Sequence, residues 1–120
     1  MTPSLLIGTL FIARDFAHVT HLSTRSFAKH KALDEFYHEI VVLADAFAEA
    51  YQGRHGLLGA ITLQSAKKST DIVSFLEEQL KTIEDGREGI CEKTDTPLQN
   101  ILDEIVGLYL TTLYKLKFLS

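Results

Sequence analysis

Apolar residues recur at helical spacing along most of the chain, and no segment alternates apolar and polar residues for long enough to make a convincing strand. The pattern predicts four helices. The first runs from about Pro3 to about His21, with Leu6, Leu10, Ala13 and Ala17 on one face and the hydroxyl-rich turn Ser23 to Ser26 after it. The second runs from about Phe27 to Gln52 and is expected to stop at Gly53, a length of ~39 Å. A less regular stretch, Arg54 to about Ser69, is expected to hold a short helix or a packed loop, with His55 in it. The third helix is expected to begin near Ser69 or Thr70, to turn Ile72, Val73, Leu76, Leu80 and Ile83 inward, and to stop at Gly86. Thr96-Pro97-Leu98-Gln99 reads as an N-cap, a first-turn proline and a capping-box partner. It opens a last helix that offers Leu98, Ile101, Leu102, Ile105, Tyr109 and Leu113 to the core and ends near Phe118. Amphipathic helices with their longest connection in the middle predict an all-α fold, a four-helix bundle.

Composition narrows the class without naming a function. With 120 residues, 46% of them hydrophobic and 23% charged, the chain is expected to be one globular domain over residues 1–120. Its formal charge of −4 provides no basic field for a phosphate backbone, and no basic tail precedes Arg14, so DNA binding is not expected. No apolar run approaches the ~18 residues of a membrane span, and the charged flank of a signal peptide is missing. Cys91 stands alone, which excludes an intramolecular disulfide and makes a reducing cytoplasm the simplest compartment. All five histidines lie within the first 55 residues.

Two of these histidines, His30 and His38, lie on the second helix, where they join a pattern. Taking His30 as zero and advancing about 100° per residue, Leu33, Phe36, Tyr37, Ile40, Ala44, Phe47 and Tyr51 form an apolar stripe between about 240° and 340°. Asp34, Asp45, His38 and Glu49 form a second stripe beside it, at about 40° to 100°. Imidazoles and carboxylates together are the donors that iron, manganese or zinc takes. His18 lies six residues before position 24 and His30 six after, so a hairpin centred there sets the two level. Asp45 is ~22 Å further along the same helix and cannot share a metal with His30 inside one chain. Antiparallel pairing of two copies about a two-fold axis brings His18, His30 and Asp34 of one against Asp45 and Glu49 of the other, giving two equivalent sites.

The segment His18-(11)-His30-(3)-Asp34-(10)-Asp45-(3)-Glu49 resembles the ferroxidase signature of the Dps family, mini-ferritins named as DNA-protecting proteins from starved cells. The resemblance covers residues 18 to 49, including Ser26 to Tyr37 and Leu43 to Glu49 around the five positions. It implies a ferritin-like bundle in a hollow homo-oligomer, a dodecamer in that family, which oxidises Fe(II) with hydrogen peroxide or oxygen and stores ferric iron. By resemblance the cofactor is iron, mono- or di-iron, held between two subunits. His18, Asp45 and Glu49 match the first-iron ligands, and His30 and Asp34 match the weaker second position. His38, on the same stripe, is a candidate partner of the ligands, and no catalytic residue is expected beyond the ligands themselves.

The tryptophan that follows the first family histidine is Val19 here, the chain contains no Trp, and it is shorter than family members in its second half. These departures favour an alternative of another class, a non-catalytic helical protein that builds an assembly from a ferritin-like bundle. The complete five-residue signature favours the ferroxidase reading.

Overall fold

The structure, a computed structural model, describes residues 1–67 and 71–120. Four α-helices make up most of it: α1 (Pro3–Ser23), α2 (Phe27–His55), α3 (Ile72–Asp85) and α4 (Thr96–Phe118), with a single 3₁₀ turn at Arg87–Gly89. No strand is present among the described residues. Each helix starts on a side chain that accepts a hydrogen bond from an otherwise orphaned backbone N–H of the first turn. Thr2, Ser26, Asp71 and Asp95 supply these caps.

The end of α2 and the cap of α4 differ from the sequence expectation. Helix α2 passes through Gly53 and ends at His55, because Gly56 and not Gly53 takes the left-handed φ of +91° that ends it. The added turn is held by the Arg54 ion pair to Asp95 at 2.7 Å and by His55, in the helix and not in the loop, whose ring lies 4.6 Å from Tyr51. At α4 the cap is Asp95 rather than Thr96, its carboxylate accepting from the Leu98 N–H. Gln99 does not fold back as a capping-box partner. Its amide instead accepts from the Arg87 guanidinium and donates to the Glu92 carbonyl. Ser69 and Thr70, where α3 is expected to begin, lie outside the described residues; Asp71 caps the helix and Ile72 is its first residue.

Contacts between helices define their directions. Met1, Thr9 and Phe16 of the first segment meet Gly86, Gln79 and Phe75, so α1 and α3 are antiparallel. Arg54 meets Asp95 and Glu35 meets Lys115, so α2 and α4 are antiparallel; Glu77 meets Lys117, so α3 and α4 are as well. Since the three-residue turn makes α1 and α2 antiparallel, α2 and α3 run the same way and the connection between them must return along the bundle. Residues 56–67 contain no helix and climb α1. Ser4 donates to the Leu58 carbonyl, and Gln64 donates to the Thr9 hydroxyl. Gly8 permits this approach, since a Cβ there would sit 2.7 Å from the Thr62 carbonyl oxygen.

The core is continuous. Leu6, Leu10, Ala13 and Ala17 of α1, Leu33, Phe36, Ile40, Ala44 and Phe47 of α2, and Leu76, Ile83, Leu98, Leu102, Ile105 and Tyr109 are all buried. Tyr37, Tyr51, Val73 and Ile101, expected in the core, are only partly buried against its edge. The buried Tyr109 hydroxyl donates to Gln79, which donates to the Thr9 carbonyl, so the interior polar groups are satisfied. The Asp95 side chain is 7% exposed and paired with Arg54 at the start of α4; no Asp or Glu among the described residues lies in the core between the helices.

Candidate metal centre

The ligand-type residues lie outside the core, on the α1–α2 face. His18, Asp45 and Glu49 are exposed, and His30 and Asp34 are partly buried. Because α2 is unbroken from Phe27 to His55, Asp45 stands ~22 Å along its axis from His30. Among the described residues no three His, Cys, Asp or Glu side chains of one chain converge on a common point. His18, Asp45 and Glu49 also have no hydrogen bond or ion pair within the described part of the chain, so their donor atoms are open to a ligand.

The hairpin register is shifted from the expected one. His30 is level with His21, not with His18: α1 continues to Ser23, and the hairpin is centred between residues 25 and 26. The rings of His21 and His30 stack at 3.7 Å. Nδ1 of His21 is 2.7 Å from the His30 carbonyl, and Nδ1 of His30 is 2.9 Å from the His21 carbonyl. A carbonyl only accepts, so both Nδ1 atoms donate and the lone pair of each neutral ring is on Nε2. Every buried side-chain nitrogen and oxygen among the described residues has a partner, so these two unpartnered Nε2 atoms reach the surface. This is the orientation a metal-binding imidazole takes when its other nitrogen is anchored to the backbone.

Asp34 sits one turn along α2 from His30. Its Oδ1 accepts from the Tyr37 hydroxyl at 3.0 Å, and His38 donates from Nδ1 to the Asp34 carbonyl at 2.8 Å. The Tyr37 hydrogen bond is the main cause holding the Asp34 carboxyl below its ordinary range. Partial burial works against it, and charge on His38, His21 and Lys31 adds to the lowering. His18 lies flat on the other side of this group, its ring 4.1 Å from that of Tyr37 and 13° from parallel.

Helix α2 therefore carries two donor groups of opposite character. Its N-terminal half, with α1, presents His18, His30, Asp34 and Lys31, and its C-terminal half presents the carboxylates Asp45 and Glu49. Sequence patterning did not mark His21 or Tyr37 as part of this arrangement. His21 belongs to no spacing motif, and Tyr37, at about 340°, reads as apolar stripe although it borders the ligand stripe.

A family of unknown function, DUF5856, matches residues 21–116. The chain belongs to the DUF5856 family. This member is also similar to the "Uncharacterized 14.6 kDa protein in mobD-ri intergenic region" of Enterobacteria phage T4, at 30% identity over 111 residues, covering 92% of this chain and 84% of that protein. No solved structure matches. The DUF5856 match contains His21, His30, Asp34, Asp45 and Glu49 and begins after His18. Cys91 of this DUF5856 chain is buried, and burial pushes its thiol pKa up, which suits a packing residue and not a nucleophile. No helix among the described residues is long and apolar enough to cross a membrane.

Proposed function

We propose that this protein is a Dps-like ferritin that binds Fe(II) between two copies of the chain, across the α1–α2 face, and oxidises it. The observation that carries this reading is the set of donors on that face: His30 anchored through Nδ1 with Nε2 free, Asp34 one turn along from it and bonded to Tyr37, His18 stacked on Tyr37, and Asp45 and Glu49 exposed at the far end of the same helix. The helix directions support a ferritin-like bundle, in which one long crossover joins the second and third helices.

Pairing α2 with a second, antiparallel α2 sets His30 and Lys31 against Asp45 and Glu49, so the contact is complementary in charge. It also covers Phe27 and Val42, which are 75% and 57% exposed in one chain and fall at about 60° and 120° on the α2 scale, beside the donor stripe. Carboxylates stabilise the harder Fe(III) product, and imidazole suits Fe(II). The oxidation balances as 2 Fe(II) + H2O2 + 2 H+ giving 2 Fe(III) + 2 H2O. Each iron loses one electron and the O–O bond breaks on receiving two. The dodecameric shell and ferric storage are the larger-scale part of the same proposal.

Anaerobic Fe(II) titration followed by peroxide addition tests it on the wild-type chain and on His18→Ala and Asp45→Ala. Saturable binding that is lost in both variants is expected. A stable oligomer that takes up no Fe(II) would identify the alternative, a non-catalytic assembly protein, as correct.

A further inference from the structure

Tyr37 stands between two of the three donors that one chain contributes to the proposed centre. Its hydroxyl donates to Asp34 Oδ1 at 3.0 Å, and its ring lies parallel to that of His18 at 4.1 Å. The edge of the His21 ring meets it at 5.3 Å, and His21 in turn stacks on His30. A single side chain therefore links His18, Asp34 and the His21–His30 pair.

We infer that Tyr37 is the positioning residue of this centre: it holds the Asp34 carboxylate by its hydroxyl and the His18 imidazole by its ring, so that both are oriented before a metal arrives. This rests on the reading of the α1–α2 face as an Fe(II) site.

The physical case is one of restraint. The His18 side chain has no hydrogen-bond partner among the described residues; its ring stacks on Tyr37 at 4.1 Å, and the ring of His21 is further away, at 6.0 Å and tilted by 58°. Asp34 has two neighbours, but His38 Nδ1 is 3.5 Å from its Oδ1 and spends its proton on the Asp34 backbone carbonyl at 2.8 Å. The 3.0 Å phenol bond is thus the one that sets the carboxylate. It engages Oδ1 and leaves Oδ2 for a metal. Tyr37 comes three residues after Asp34 on one helix, so the two side chains are neighbours on its surface whatever the partner does. Phe36, one residue earlier, is the fully buried core residue of this turn, which leaves Tyr37 free for the face. Supporting groups of this kind change metal affinity by about 10- to 100-fold when removed.

The test compares wild type with Tyr37→Phe, which keeps the ring against His18 and removes the hydroxyl from Asp34, and with Tyr37→Leu, which removes both. Fe(II) affinity is measured anaerobically by calorimetry, thermal unfolding on the metal-free chains, and KM and kcat for Fe(II) with peroxide as oxidant. Tyr37→Phe is expected to weaken Fe(II) binding and raise KM by about tenfold, with kcat at saturating iron and the metal-free melting temperature little changed, and Tyr37→Leu to weaken binding further. Wild-type affinity in Tyr37→Phe would overturn the assignment, as would a loss that only follows a drop in melting temperature. Should Tyr37→Leu fail to fold, Tyr37→Phe still decides. Absence of Fe(II) binding by the wild type would instead defeat the iron-site reading, and the role of Tyr37 with it.

Discussion

Equimolar mixing of His18→Ala and Asp45→Ala chains should restore Fe(II) oxidation that neither variant has alone. The yield follows from the geometry. His18, His30 and Asp34 lie at one end of the α2 face, and Asp45 is ~22 Å from His30 along an unbroken helix, so each site draws one half from each copy. A mixed dimer then has one site missing both His18 and Asp45 and one site with all five donors. Random pairing makes about half of the dimers mixed, so roughly a quarter of all sites are whole. The assay is stopped-flow oxidation of Fe(II) by peroxide, after brief exposure to mild denaturant to allow exchange, with mass analysis of two differently tagged chains to confirm that mixed dimers form. Recovery near a quarter of wild-type amplitude is expected. No recovery despite confirmed mixed dimers would refute the divided geometry, because a site built within one chain gains nothing from a partner with a different lesion.

Two further predictions concern the scaffold. Tyr109→Phe removes the hydroxyl that Gln79 accepts from in the core and should cost about 1–3 kcal/mol in urea unfolding, the penalty of a buried acceptor left unpaired; a change below a few tenths would show that Gln79 finds another partner. Burial raises the Tyr109 pKa in the folded chain, so this residue's contribution is fully present below about pH 10, where the unfolded phenol is still protonated, and declines as pH rises further; Tyr109→Phe should flatten that alkaline fall. Gly8→Ala puts a Cβ against the Thr62 carbonyl oxygen and should cost about 1–3 kcal/mol while exposing residues 56–67 to limited proteolysis. Unchanged proteolysis would mean that the segment is held mainly by its Ser4 and Thr9 hydrogen bonds.

Local chemistry was legible where local chemistry decides. Ser26 caps α2 and Pro3 opens α1, and Leu6, Leu10, Ala13 and Ala17 of α1 and Leu33, Phe36, Ile40, Ala44 and Phe47 of α2 point inward as their spacing requires. Ends were less legible because competing glycines and caps are settled by distant partners. Arg54 reaches Asp95, forty-one positions away, and that pair accompanies both the extension of α2 beyond Gly53 and the choice of Asp95 over Thr96 as a cap. Gln99 likewise carries a capping-box spacing, but the guanidinium of Arg87 and the Glu92 carbonyl claim its amide.

The candidate centre divides in the same way. Periodicity alone puts His30, Asp34, Asp45 and Glu49 on one stripe of one helix and separates them into two groups, since angle and rise per residue are properties of the helix itself. Which residues of α1 face that stripe depends on where the turn is centred, and this the tertiary structure decided: His21, not His18, is level with His30. The backbone carbonyls that orient the two rings and the phenol that holds Asp34 beneath His18 come together only when α1 docks on α2, because contacts across a hairpin depend on register and not on spacing.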